Sequence, residues 1–364
     1  MATLTDKLLI VPTLGLILSK VTYAAVTGPF RGSEGAPTYF EHVMNTLVRG
    51  LVTHMSTEQI QWISPSFIDA YKSWCTKQSL TPDIVDIPNT APQTQGFWIG
   101  SKSTAKYTMV FYHGGGFMAP GSANHIDLLF RLVKWSNNNL AVFCVAYTLS
   151  PGAVYPTAIH QSVEGLRYIL DLPGHSPETT LIGGDSAGGN LVLAVLSHIS
   201  GHPHPQSDVV KSLNISTPLK GALAIAPWVS SDNKKYPSMD KFRDRDIVNT
   251  TCAMYWIEAY KGRGKNIADD EWICAATAPA EWWKDVKCEH MLVCAGEHEG
   301  LVDAVTAWAA KYKEGAGAGK IKYVVGVKET HDAPLNGLGE AKLDSLGEKS
   351  QEGAIRKWVK EELV

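Results

Sequence analysis

Several common signatures are missing from this chain, and each absence narrows what it can do. No C-x-x-C pair occurs among the six cysteines (Cys75, Cys144, Cys252, Cys274, Cys288 and Cys294), which removes the usual thiol-redox and zinc-ribbon readings. Cys144 and Cys294 sit inside apolar runs and read as buried thiols, and no spacing demands a disulfide. His202 and His204 flank Pro203 in a polar loop and read as a solvated turn. No metal and no cofactor is therefore expected. No block of like charge stands out, and 33 Lys plus Arg against 36 Asp plus Glu leave a formal net charge of -3. That balance makes no case for nucleic acid or a strongly anionic membrane surface. No internal repeat occurs, which excludes a solenoid.

What is present is ordinary bulk: 364 residues, 45% hydrophobic and 19% charged, enough to bury a large core. From about residue 82, β-rich apolar runs alternate with helical periods. The predicted strands are 83–87, 96–100, 107–112, 141–146, 180–183, 221–226, 291–295 and 322–327. Several are continuous runs without polar alternation, as expected when both faces of a parallel sheet are covered. The predicted helices between and after them are 126–136, 158–170, 189–199, 302–313 and 351–362. This alternation predicts a doubly wound α/β sheet.

Two regions break it. Residues 1–80 read as helical, with candidates at 39–52 and 56–75, and residues 230–287 hold Trp256, Trp272, Trp282 and Trp283 beside Tyr236, Tyr255 and Tyr260. Such aromatic density suits the wall of an apolar pocket or, equally, a satellite core. The expected division is an N-terminal cap segment (1–80), a catalytic core in two parts (81–229 and 288–364) and a cap insertion (230–287). The first residues carry apolar runs from Leu8 to Leu18 and Val21 to Val26, interrupted by Pro12, Gly15 and Lys20. They read as a helical hairpin of the lid that touches a membrane surface, with a secretory signal and a membrane span as alternatives. The expected location is the cytoplasm or an intracellular membrane reached through this segment, with secretion as the further alternative. Asn249-Thr250-Thr251 is a sequon that reads better as a helix N-cap.

Two short strings carry chemistry. Gly184-Asp185-Ser186-Ala187-Gly188 is a G-x-S-x-G elbow, in which flanking glycines let a strand turn sharply into a helix and expose the serine oxygen. His113-Gly114-Gly115-Gly116 follows a predicted strand and offers backbone N–H groups to a developing oxyanion. A serine hydroxyl needs a histidine base and usually an acid that orients it, in chain order Ser, acid, His for this fold. Of the twelve histidines, His331 follows the last predicted strand and precedes a helix, so its loop emerges beside the elbow. The acid belongs just after strand 291–295, where Glu297, Glu299 and Asp303 are available. Glu299 at the loop tip is preferred, with Asp303 at the next helix start as the alternative.

His113 to Phe117, Tyr147-Thr148-Leu149-Ser150-Pro151 with Tyr155-Pro156, and Gly184 to Asn190 together resemble the hormone-sensitive-lipase-like branch of the α/β-hydrolases. The likeness covers roughly residues 105–335, and Gly28-Pro29-Phe30-Arg31-Gly32 resembles fungal members, some of which serve natural-product pathways. The resemblance implies an α/β-hydrolase fold, with an eight-stranded, mostly parallel sheet, helices on both faces and a helical cap. It also implies Ser186, Glu299 and His331 as triad, and Gly115, Gly116 and Ala187 as oxyanion hole. Homodimers that pair edge strands are known in the family. The chain departs from the family pattern with Glu299 for Asp, Gly300 for Pro and Gln161 where many members have an acid.

The expected function is hydrolysis of a small apolar or polyketide-like carboxylic ester through an acyl-enzyme. One alternative is condensation, cyclisation or tautomerisation by the same triad; another is a non-catalytic ligand receptor on the same fold.

Overall fold

The computed structural model describes residues 2–32, 35–232 and 234–364, and its eight strands form one sheet in the order β1-β2-β4-β3-β5-β6-β7-β8. The strands are β1 (Ile84–Ile87), β2 (Thr94–Ile99), β3 (Tyr107–Tyr112), β4 (Leu140–Ala146), β5 (Thr180–Asp185), β6 (Gly221–Ile225), β7 (Met291–Gly296) and β8 (Ile321–Gly326). β2 pairs antiparallel with β1 and β4, and β3, β5, β6, β7 and β8 continue the sheet in parallel from β4. All eight lie where the apolar runs predict them, with ends shifted by one or two residues.

The alternation of side chains along each strand builds two cores. Val110 and Tyr112, Val145, Ile182 and Ala224 point to one face, under α6 (Thr157–Leu170), α7 (Ala187–Ile199) and α10 (Val302–Ala316). Met109 and Phe111, Cys144, Leu181 and Leu223 point to the other, under α5 (Ala123–Trp135) and α12 (Gln351–Leu363). Burial on both faces is why these strands read as unbroken apolar runs. All six cysteines are buried free thiols.

The segments outside the alternation are helical. They hold α1 (Leu4–Thr27), α2 (Tyr39–His54), α3 (Thr57–Ile63), α4 (Phe67–Lys77), α8 (Ser238–Lys241) and α9 (Thr250–Lys261), while α11 (Glu340–Leu346) precedes α12. Two expectations need correction here. The predicted helix over 56–75 is two helices, because Pro65 interrupts the run and Ser66 restarts it, its hydroxyl accepting the Asp69 N–H. The N-terminal runs are not a hairpin: α1 passes unbroken through Pro12 and Gly15 and pairs with α2. Pro12 and Gly15 both face outward, where a missing ladder bond exposes its carbonyl to solvent. Asn249 caps α9 as expected, its side chain accepting the Cys252 N–H.

Candidate active site

Ser186 sits where β5 turns into α7, with φ 51° and ψ -115°, a strained backbone for a non-glycine residue. The two glycines of the elbow have specific steric reasons. A Cβ on Gly188 would lie 1.9 Å from the Tyr112 carbonyl oxygen, and one on Gly184 would lie 2.4 Å from the Gly188 carbonyl oxygen. Strand β3 and helix α7 therefore approach so closely that only hydrogen fits between them.

His331 follows β8 in a short loop, and its Nε2 lies 2.8 Å from Ser186 Oγ. Glu299 follows β7, is completely buried, and accepts the Gly296 N–H at 2.8 Å. Its Oε2 stands 3.9 Å from His331 Nδ1, longer than a hydrogen bond, and Glu299 Oε1 and His331 Nδ1 have no partner among the described residues. Asp303 faces elsewhere: it accepts the Ser238 N–H at 2.9 Å and so ties α10 to α8. The structure thus brings Ser186, His331 and Glu299 together and does not bring Asp303.

Two carboxyl groups that the sequence did not single out complete the surroundings of His331. Asp332 Oδ2 is 3.2 Å from His331 Nε2, on a residue in left-handed conformation (φ 52°). Asp246, from the segment between α8 and α9, accepts the His331 backbone N–H at 2.9 Å. No sequence signal separates Asp246 from the exposed Asp240 and Asp244 beside it. Burial weakens the hold of His331 on a proton, but Asp332, Glu299 and Asp246 more than offset this and push it up to about 10. Asp332 is itself driven well above the usual carboxylate range, by burial first and by Asp185, Glu299 and Asp246 beyond the opposing pull of His331. These two shifts compete for one proton. With that proton on Asp332, the largest attraction holding a proton on His331 disappears, and the imidazole becomes an acceptor for the serine hydroxyl.

The glycine loop is held from below. Asp185 Oδ1 accepts the Gly114 N–H at 3.0 Å, and Oδ2 is 3.2 Å from His125 Nε2. His125 Nδ1 accepts the Ser122 N–H, so Nε2 carries the proton that Asp185 receives. His113 donates from Nδ1 to the Gly114 carbonyl at 2.7 Å and stacks on Tyr147. Burial, with His125 nearby, pushes His113 down to about 4, so it is neutral and structural. Gly115 and Gly116 adopt φ 105° and 60°, in the left-handed range. Gly116 and Ala187 line the cavity above Ser186, whereas Gly115 turns toward Ala119.

That cavity is nearly closed. Its free volume is about 10 Å³, bounded by Phe117, Trp228, Trp256, Ile257 and Leu301 around Ser186 and His331. Such a space barely admits one water. Helix α9 causes the closure: a Cβ on Gly116 would meet the Trp256 ring at 2.4 Å. No residue of α1 forms part of this wall. A far larger cavity of about 1110 Å³ lies between α1, α2 and residues 240–251, away from Ser186.

A family model for the alpha/beta hydrolase fold matches residues 109–334, more than half of the chain. Hormone-sensitive lipase of Mus musculus is 34% identical over 91 residues, covering 24% of this chain and 12% of the lipase. An esterase of Gibberella moniliformis is 28% identical over 162 residues, 42% of this chain and 45% of that protein. The chain thus spans less than half the length of these curated relatives. Among solved structures, a thermostable esterase from Pseudomonas putida superposes with a TM-score of 0.63 at 19% identity, over 92% of this chain and 99% of the esterase. That likeness speaks for the fold alone. Motifs, sheet and matched region agree: the chain belongs to the α/β-hydrolase family, in its hormone-sensitive-lipase-like branch.

Proposed function

We propose that the protein hydrolyses carboxylic esters through an acyl-enzyme on Ser186. The observation that carries this reading is the 2.8 Å contact between Ser186 Oγ and His331 Nε2 at a strained elbow. Ser186 Oγ attacks the ester carbonyl carbon while His331 takes the hydroxyl proton, and the carbonyl oxygen becomes an oxyanion. Backbone N–H groups of Gly115, Gly116 and Ala187, the last at the positive end of α7, stabilise that charge. Collapse breaks the ester C–O bond, and the alcohol leaves with the proton from His331. Water then attacks the acyl carbon and gives a proton to His331; the bond from the acyl carbon to Ser186 Oγ breaks, His331 returns that proton to Oγ, and the carboxylic acid leaves. Glu299 is the orienting acid, and its 3.9 Å separation from Nδ1 shortens as the imidazolium forms.

Residues 230–287 act as a cap through α9, with α2 of the N-terminal segment packed on α9. With about 10 Å³ above Ser186, an acyl group enters only when α9 and Trp256 move aside. The wall of Phe117, Trp228, Val248, Trp256 and Leu301 has no charged group and suits an apolar acyl chain or an apolar natural-product ester. Helix α1, outside this wall, lies against a lipid surface. Its outward Leu4, Leu8, Val11, Leu18 and Val26 are each at least 65% exposed, far more apolar surface than a helix facing water carries.

The test is Ser186→Ala with p-nitrophenyl esters of graded chain length. Turnover should fall on the order of 10⁴-fold or more while the far-ultraviolet spectrum stays unchanged. A serine-directed phosphonate should label Ser186. Normal ester turnover by the alanine variant would overturn the mechanism, and product formation without an acyl-Ser186 intermediate would favour condensation or cyclisation.

A further inference from the structure

Asp246 joins the insertion between α8 and α9 to both catalytic loops of the hydrolase scaffold. The acid and base loops leave different strands, β7 and β8, and touch through the His298 N–H, which donates to the Glu329 carbonyl at 2.8 Å, but that bond reaches neither Gly300 nor His331. Asp246 bridges them: Oδ1 accepts the His331 N–H at 2.9 Å and Oδ2 accepts the Gly300 N–H at 2.7 Å, next to Glu299. Oδ1 also accepts the Ile247 N–H at 2.8 Å, so one carboxylate takes three backbone donors. Only an ionised Asp or Glu can do that without presenting a donor of its own. The side chain is fully buried.

The residue is in turn held from the N-terminal segment. Arg49 on α2 donates to the Asp246 carbonyl at 2.7 Å. Asn45, one turn earlier, donates to the Arg245 carbonyl at 3.1 Å and to Thr330 Oγ1 at 3.3 Å, beside His331. A chain of hydrogen bonds thus runs from α2 through the insertion to both loops of the site.

We infer that Asp246 is a positioning residue for ester hydrolysis, a buckle by which the cap segments hold the Glu299 and His331 loops in register. This rests on the proposed role of Ser186 and His331. Losing the Oδ2 bond releases the Glu299 loop, and a displacement near 1 Å in such a site costs roughly 10²-fold in rate. The ionised carboxylate also attracts the charge that forms on His331. The titratable groups that face Asp246 are His331, Glu299 on the β7 loop, Arg49 on α2 and Cys252 on α9. His331 also faces Asp332, which lies in the field of Asp185. Burial first, with Glu299 adding to it, pushes Asp246 up to about 6 against the pull of His331, so the buckle carries its charge above that pH.

The deciding variant is Asp246→Asn in the full chain, with Ser186→Ala and Asn45→Ala alongside. Asparagine keeps the shape but turns an NH₂ toward one of the three N–H donors. For Asp246→Asn we expect kcat to fall about 10- to 100-fold with KM within twofold. The acid limb of the kcat/KM profile should move to lower pH by roughly half a unit or more, because a negative charge facing His331 has gone. Phosphonate titration supplies the fraction of competent sites, and rates are compared per competent site. A rate per site equal to wild type, or an acid limb that does not move, overturns the inference. Should Asp246→Asn fail to fold, Asn45→Ala decides: a fall in kcat of threefold or more at constant KM supports the buckle, and wild-type kcat overturns it. Ser186→Ala keeps the two readings apart, since its activity alone decides whether Ser186 is the nucleophile.

Discussion

Replacing Glu299 by Gln tests the electrostatics of the site with almost no change in shape. The amide oxygen can still accept the Gly296 N–H that Glu299 receives at 2.8 Å, so the loop keeps its anchor. What disappears is one negative charge 3.9 Å from His331 Nδ1. With the shared proton on Asp332, His331 is neutral before attack and cationic in the transition state, so the lost attraction falls almost wholly on the barrier. Two unit charges at that separation interact by about 4 kcal/mol at an effective dielectric near 20. That corresponds to roughly 10³-fold in kcat, with KM little changed because Glu299 touches no part of the cavity wall. Asp303→Asn is the matched control. It weakens a hydrogen bond to Ser238 worth about 1 kcal/mol, so it should lower the melting temperature by a few degrees at most and leave kcat within threefold. The assay is steady-state hydrolysis of p-nitrophenyl acetate and butyrate, normalised by phosphonate titration. If Asp303→Asn is crippling while Glu299→Gln turns over normally, the assignment of the acid is wrong. A fall of only a few-fold in Glu299→Gln would mean that the Asp246 carboxylate already supplies the field at His331.

Two further outcomes are expected. Burial first, with Glu352 and Glu41 adding to it, raises Glu329 to about 7 despite its bond to the Gln351 N–H. Because the folded value lies above the unfolded one, ionising Glu329 costs stability as pH rises through about 7 and costs nothing below the ordinary carboxylate range. Glu329→Gln should therefore raise the melting temperature at pH 8 and leave it unchanged at pH 4; equal shifts at both would refute the burial argument. For α1, the wild-type chain should co-float with phosphatidylcholine vesicles, and Val11→Asp with Leu18→Asp should remain in the dense fraction with unchanged acetate-ester turnover. Failure of the wild type to float, or flotation of both, would remove the lipid-surface reading.

The sequence by itself determined whatever depends on neighbours along the chain. Eight predicted runs became eight strands, and the central β3 to β7 are legible because a strand buried on both faces needs no partner to be recognised. Ser186 and the glycine loop were legible because their geometry is local: a turn from strand to helix, and a glycine run directly after β3. His331 was legible through topology, since loops leaving the same edge of a parallel sheet must converge. Tertiary structure alone decided what burial and distance decide. Asp246 is one acid in a run with Asp240 and Asp244, and only packing buries it against two backbone N–H groups that are 54 and 85 residues further along the chain. Asp332 acts on Nε2 because a left-handed backbone swings its carboxyl back toward His331, which composition does not encode. The continuity of α1 through Pro12 is likewise a tertiary result. Docking on α2 and α3 buries Ile10, Ile17 and Ala24 on one face of the helix while the proline faces out, so contacts made far along the chain outweigh a local breaker.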